Sequence, residues 1–169
     1  MANPKNQILN RTQITQKITR IAYQIYENNF EEDEIVLAGI APQGVLLSRL
    51  LEKELTRICP ITIKSIQIQL DKEKPAQQEI ILSVSADELE NRTIILIDDV
   101  LYTGRTFAYS MKPFLDFRIK KLQTVVLVDR GHTVFPISVD FAGYSLSTTV
   151  LQHIEVILDN EEEFGVYLS

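Results

Sequence analysis

The stretch Ile94-Ile95-Leu96-Ile97-Asp98-Asp99-Val100-Leu101-Tyr102-Thr103-Gly104-Arg105-Thr106 decides the fold. Its apolar run leads straight into two carboxylates, the pattern of a strand covered on both faces and ending at a polar edge. A loop with Thr103, Gly104 and Thr106 then opens a helix. In open α/β sheets, ligands sit beyond the carboxyl ends of the strands. Small residues leading into a helix N-terminus offer backbone N–H groups to a phosphate. Carboxylates accept hydrogen bonds from vicinal hydroxyls, so Asp98 and Asp99 suit a ribose diol. A phosphorylated ribose would satisfy both halves of the segment. An acidic turn between strand and helix is the plain alternative. Such turns are common, whereas a diol-binding acid pair followed at this spacing by a phosphate loop is not.

The chain on either side repeats the pattern. Ile35-Val36-Leu37-Ala38-Gly39-Ile40 is a second continuous apolar run and reads as a buried parallel strand. Val45 to Leu55 reads as a helix, and Ile61 to Leu70 as a largely alternating strand. Ile14, Ile18, Ile21 and Ile25 form one face of a helix from about Thr12 to Asn28. The polar stretch Asp71 to Glu79 precedes Ile80-Ile81-Leu82. Beyond the central segment come a helix over Thr106–Phe117 and a strand over Leu122–Val128. Strands alternating with helices predict an α/β fold with an open, mainly parallel twisted sheet flanked by helices. The tail pieces Ile137–Phe141, Ile154–Leu158 and Val166–Leu168 are short and strand-like, fit for a small subdomain or sheet extension. No repeat or linker divides the sequence, so residues 1–169 are expected to form a single domain.

With 45% hydrophobic residues, the chain can bury one sizeable core. No apolar run approaches the roughly 20 residues that span a bilayer. Met1 to Asn6 lacks an apolar signal region, so a cytoplasmic protein is expected. The single cysteine, Cys59, can form no intrachain disulfide, and together with two histidines it argues against a protein-only zinc site. A net charge of -6 means that the chain as a whole does not attract polyanions.

Ile94–Thr106 resembles the phosphoribosyl diphosphate (PRPP) signature of the type I phosphoribosyltransferases. Within that family the nearest likeness is to the bifunctional pyrimidine operon regulators and uracil phosphoribosyltransferases. Three segments carry it: Asp98 to Thr106, Leu127-Val128-Asp129-Arg130-Gly131-His132, and the weaker Pro136-Ile137-Ser138-Val139-Asp140-Phe141. Thr19-Arg20-Ile21-Ala22 adds a faint fourth. The resemblance implies the type I fold, with a small hood built from the terminal segments. It also implies a reaction in which a nucleobase nitrogen displaces diphosphate from PRPP, with Mg²⁺ bridging ribose hydroxyls and diphosphate oxygens. Asp98 and Asp99 would contact the ribose hydroxyls or the metal's water shell. Val100, Leu101, Tyr102, Thr103, Gly104, Arg105 and Thr106 would cradle the 5′-phosphate.

Other roles follow from the resemblance by position. Ala41, Pro42, Gln43 and Gly44 fall where the family has its diphosphate loop, but no basic residue stands there. Asp71 to Glu79 falls where the family has a mobile lid. Asp71 and Lys72 replace the tyrosine and arginine that regulator-like relatives carry near its start, which leaves Lys72 or Lys74 to supply a cation. Asp129, Arg130 and Gly131 would flank the nucleobase, or else form a paired Asp–Arg turn. His132 reads as a hydrogen-bonding histidine. Phe141 or Tyr144 would cover the base, or else belong to the core. Tyr102 stands where purine-type relatives have an acid, which favours a pyrimidine such as uracil.

Two functions are therefore expected. One is a Mg²⁺-dependent transferase of pyrimidine salvage, a homodimer as relatives commonly are, with Asp98, Asp99 and Lys72 at its catalytic centre. The other is a nucleotide-sensing regulator that binds RNA through basic residues such as Lys17, Arg20, Arg118, Lys120 and Lys121. Solvated helix faces explain those basic residues more simply, and Tyr23 stands where the regulators tend to have histidine.

Overall fold

A computed structural model of the chain describes residues 5–76 and 78–169. Residues 1–4 of the N-terminal segment and position 77 of the Asp71–Glu79 stretch lie outside the described residues.

The elements follow the expected alternation. They are β1 (Asn6–Asn10), α1 (Arg11–Asn29), β2 (Glu34–Ile40), α2 (Gln43–Ile58), β3 (Thr62–Gln69), β4 (Ile81–Leu82), β5 (Thr93–Leu101), α3 (Arg105–Ser110), β6 (Lys121–Asp129), β7 (Phe141–Ser145), β8 (Ile154–Ile157) and β9 (Gly165–Leu168). The main sheet has six strands in the order β4-β3-β2-β5-β6-β7. All its pairings are parallel except that of the short edge strand β4 with β3. The chain thus leaves β2 towards one edge and continues from β5 towards the other. Crevices between such divergent strands are where α/β proteins bind ligands.

The continuous apolar runs of β2 and β5 are explained by burial on both faces. Ile35 and Leu37 join Ile95 and Ile97 in a core under α1 and α2. Val36 and Ala38 join Ile94 and Leu96 in a second core, with Phe107 and Phe114, on the opposite face. Helix α1 begins at a reciprocal cap: the Asn10 side chain accepts from the Gln13 N–H, and the Gln13 side chain accepts from the Asn10 N–H, both at 2.9 Å.

Three sequence expectations are corrected. The helix expected over Thr106–Phe117 ends at Ser110 and continues only as a 3-10 turn, Lys112–Leu115. Pro113 has no N–H to extend the ladder. The strand expected at Ile137–Phe141 begins only at Phe141. The Asp140 carboxylate accepts from the Thr124 N–H at 2.8 Å and so docks the chain on β6 before the ladder starts. Strand β1, Asn-Gln-Ile-Leu-Asn, has no apolar pattern and was not expected; it forms by pairing antiparallel with β9. Strands β1, β9 and β8 make a separate antiparallel sheet, the hood implied by the resemblance.

Candidate functional site

The site forms at the carboxyl end of the central strand. Asp98 is buried, and Asp99 is more open with 18% of its side chain exposed. Three segments converge on the pair.

The first is the turn after β2. Its backbone lies so close to β5 that a Cβ on Gly44 would stand 2.4 Å from the Ile97 carbonyl oxygen. Only glycine permits that approach, and it brings the start of α2 beside the acid pair. The Ala41–Pro42 peptide is cis, and the Ala41 N–H donates to the Ile68 carbonyl at 2.9 Å. Gln43 holds a buried side-chain oxygen with no partner among the described residues. The first N–H groups of α2 have no intrahelical acceptor, as at any helix start. This loop therefore offers backbone donors but no cation.

The second is the loop after β5. Gly104 sits at φ 81, and a Cβ there would stand 3.1 Å from the Ile137 side chain. The residues after β6 fold over this loop: Val134 and Phe135 donate their N–H groups to the Thr103 carbonyl at 2.8 and 3.0 Å. Thr103 Oγ accepts from the Arg105 N–H at 3.3 Å. The N–H groups of Thr103 and Gly104 have no partner among the described residues. Of the residues expected to cradle phosphate, Val100 and Leu101 point elsewhere. Leu101 is buried in the second core, Val100 packs against the first, and the Leu101 carbonyl accepts from the Arg130 N–H. They position the loop, and Tyr102 to Thr106 form it.

The third is the stretch that begins at Asp71. The Asp71 carboxylate accepts from the N–H groups of Glu73 and Lys74 at 2.9 and 3.1 Å, closing a turn there. That turn delivers Lys72 to the acid pair, 2.9 Å from Asp98 Oδ1 and 3.8 Å from Asp99 Oδ1. Burial, reinforced by the neighbouring Asp99, pushes the Asp98 carboxyl up to about 8, while Lys72 opposes the shift. Desolvation pulls the Lys72 ammonium down, but the two carboxylates outweigh it and hold Lys72 above its ordinary value. Lys74 is exposed and makes no ion pair among the described residues.

The residues expected around the nucleobase fare differently. Arg130 is 5% exposed and makes no ion pair with Asp129, whose carboxylate instead accepts from the Gly131 N–H at 2.8 Å. The Arg130 guanidinium donates to Thr148 Oγ1 at 2.8 Å and to the carbonyls of Gln152 at 2.6 Å and Thr149 at 3.3 Å. Its face lies on Tyr102, 3.9 Å from the ring centre. Its Nε and Nη2 donors are engaged by the tail. His132 binds the Thr148 carbonyl through Nε2. Phe141 is buried in the first core at the start of β7, opposite Val125, four residues before the ligand edge. Its inward register puts it in the core, one of the two places expected for it. Tyr144, nearer that edge, has the Lys17 ammonium 5.1 Å from its ring centre.

Sequence reading missed the hood's share of the site. A cleft of about 800 Å³ opens between Gln43, Asp99 and the hood, with Glu155, Asp159, Glu161 and Glu163 along its far wall. The wall is acidic; Lys5 pairs with Glu155 at 2.6 Å and Arg11 with Glu161 at 2.6 Å. The alternation Ile154-Glu155-Val156 held the signal that Glu155 faces away from the core.

The acid pair, the Gly104 turn that follows it and the Lys72 turn beside it occur in a chain whose sequence matches a known family. Residues 4–160 match the phosphoribosyl transferase domain. The chain belongs to that family. It is similar to the Bifunctional protein PyrR of Macrococcus caseolyticus, 33% identical over 98% of this chain and 99% of the relative. It is also 34% identical to the protein of the same name from Bacillus subtilis, over 95% of this chain and 94% of the relative. In fold it is similar to the hypoxanthine phosphoribosyltransferase of Trypanosoma cruzi, with a TM-score of 0.79 at 15% identity over 96% of this chain and 95% of that one. A hypoxanthine-guanine phosphoribosyltransferase from Bacillus anthracis gives 0.76 at 17% identity, covering 98% of both chains. Among the described residues, no helix is long and apolar enough to cross a membrane.

Proposed function

We propose that this protein is a Mg²⁺-dependent phosphoribosyltransferase that moves the ribose 5-phosphate of PRPP to a nucleobase, with a pyrimidine such as uracil as the favoured acceptor. The supporting observation is the Asp98–Asp99 pair followed directly by the Thr103–Gly104 turn, whose two N–H groups are unpartnered among the described residues. In this reading Asp98 and Asp99 accept hydrogen bonds from the ribose hydroxyls, and Tyr102 to Thr106 hold the 5′-phosphate. The bond from C1′ to the diphosphate oxygen breaks and diphosphate leaves with its electron pair as the bond from C1′ to the base nitrogen forms, and the proton on that nitrogen passes to the departing diphosphate or to water. Holding both partners in line, away from water, supplies the rate. The lid limits water at C1′.

The donor set fits a magnesium ion. Two carboxylates are hard oxygen donors, and the Lys72 ammonium already stands against both of them. No group of three protein ligands could hold a metal among the described residues, so the remaining ligands would be PRPP oxygens and water. When bound, Mg²⁺ would neutralise diphosphate oxygens, a service needed beside an acidic wall and a loop without cations. The pyrimidine preference rests on Tyr102, which leaves no acid for a purine ring nitrogen. A reducing, cytoplasmic setting fits the single cysteine. The homodimer is carried by the resemblance alone and is read by light scattering.

The test is a labelled-base assay with PRPP and Mg²⁺ across uracil, hypoxanthine, guanine, adenine and xanthine. Nucleotide formed from uracil first supports the proposal, and none from any base sinks it.

A second reading, a nucleotide-sensing regulator that binds RNA, is favoured by the near-full-length likeness to proteins called bifunctional. The expected basic residues are largely engaged within the protein. Arg20 donates to the Ala142 and Gly143 carbonyls, Lys120 pairs with Glu32, and Lys121 donates to the Asn28 carbonyl. A gel shift with pyrimidine leader RNA that shows no salt-sensitive, nucleotide-dependent binding rejects this reading.

A further inference from the structure

The two places where the sequence departs from what the resemblance implies both adjoin Asp98. The loop Ala41-Pro42-Gln43-Gly44 lacks a cation and its Gly44 backs onto Asp98, and Asp71-Lys72 brings an ammonium to the Asp98 carboxylate. Lys72 does not project into solvent. Its ammonium sits on the carboxylates, 2.9 Å from Asp98 and 3.8 Å from Asp99, with about a third of the side chain exposed.

Two features hold it there. Asp71 closes the turn that sets its direction, and Pro75, three residues on, is buried. On the carboxylate side, two adjacent acids repel one another, and a cation between them relieves that repulsion. The ammonium has three donors and no acceptor, so it uses the oxygens that a ribose diol or a divalent cation would use. All three cannot be satisfied by the same lone pairs at once.

We propose that Lys72 is a built-in counter-ion of the Asp98–Asp99 pair that competes with a divalent cation for these carboxylates and must swing away before the ribose diol can bind. This deepens the proposed function and rests on its assignment of the acid pair to ribose and metal. Released, the ammonium stays tethered beside the Ala41–Gly44 loop, whose own residues supply no cation. Binding is then an exchange of charges: the acid pair trades Lys72 for the incoming ligand, and Lys72 trades a carboxylate for diphosphate oxygens.

The experiment is a titration of the metal-free, full-length protein with Mn²⁺, followed by electron paramagnetic resonance, for wild type, Lys72→Met, Lys72→Arg and Lys74→Met. Removing the competing charge in Lys72→Met is expected to tighten Mn²⁺ binding at least about tenfold. Lys72→Arg, which keeps a cation, and Lys74→Met, which changes an exposed neighbour, are expected to stay near wild type. Adding Asp98→Asn to Lys72→Met is expected to remove the gain, which locates the ion. Equal affinity in wild type and Lys72→Met, an equal gain in Lys74→Met, or no Mn²⁺ binding in any variant overturns the proposal. Calorimetric binding of PRPP is read separately. Its absence throughout would overturn the proposed function while leaving the competition for Mn²⁺ intact.

Discussion

The guanidinium of Arg130 lies flat on Tyr102, 3.9 Å from the ring centre, while its nitrogens hold Thr148, Thr149 and Gln152. One side chain therefore fastens the tail to the loop that begins at Tyr102. Arg130→Met would leave the Thr148 hydroxyl and the Gln152 carbonyl short of donors and is expected to cost about 2–4 kcal/mol. Arg130→Lys keeps the charge but not the fork, and is expected to recover less than half of that loss. Urea unfolding measures both. An Arg130→Met protein as stable as wild type would show that the contacts contribute nothing.

Gly104 and Gly131 both have positive φ, 81° and 71°, but differ in their surroundings. A Cβ at Gly131 would meet nothing within 4 Å, whereas one at Gly104 meets Ile137 and Phe135. Gly131→Ala is expected to cost about 1–2 kcal/mol from backbone conformation alone. Gly104→Ala adds a collision that shifts the Tyr102–Thr106 loop, so under the proposed function PRPP affinity is expected to fall at least about tenfold, a loss of about 1.4 kcal/mol. Calorimetry of PRPP binding compares the two. Equal affinities would remove the loop from the site.

These glycines also show what the sequence could reveal. Gly104 was legible because the segment Ile94–Thr106 is local: strand, acids, turn and helix follow one another in the chain. The parallel sheet was legible for the same reason, through continuous apolar runs in β2 and β5. Lys72 on Asp98 spans 26 residues and depends on a turn set by Asp71, which no periodicity records. Arg130 was placed at the correct edge, but neither of its two expected roles pointed to the partners it has. Its acceptors are two carbonyls and a hydroxyl in an irregular segment 18 to 22 residues away. Strand β1 has no apolar alternation because the ladder to β9, not side-chain burial, fixes most of it.

Arg20 separates a structural role from a nucleic-acid role. It donates to the carbonyls of Ala142 and Gly143 at 3.2 and 2.5 Å, on β7, the last strand of the main sheet. Charged donors to carbonyls are worth about 1.5–3 kcal/mol each at most, and less where half-exposed. Arg20→Ala is therefore expected to lower stability by about 1–2 kcal/mol in thermal or urea unfolding. Arg118→Ala, with no side-chain partner among the described residues, is expected to change stability by less than about 0.5 kcal/mol. If both substitutions leave stability untouched and both weaken RNA binding in a salt-dependent way, the regulatory reading gains and the structural one fails.

The acid pair makes the unliganded protein pH-sensitive in a direction that can be worked out. Asp98 ionises near its ordinary value of 3.8 when unfolded, but burial raises it to about 8 in the folded protein. Below the unfolded value both states hold the proton, so Asp98 imposes no electrostatic cost. As pH rises from about 4 to about 8, the unfolded chain gives up its proton readily and the folded chain does not, so stability falls across that window. Above about 8 both states are ionised and the loss is complete. Asp98→Asn cannot ionise and escapes this penalty, although it weakens the Lys72 contact. Its melting temperature relative to wild type is thus expected to climb steadily between pH 4 and pH 8. The same substitution is expected to abolish PRPP binding, because an amide accepts only one of the ribose interactions that a carboxylate can make. Melting curves for both proteins in metal-free buffer, taken at half-unit pH steps, decide the matter. Parallel curves would mean that Asp98 is ionised throughout and that Lys72 fully offsets its burial.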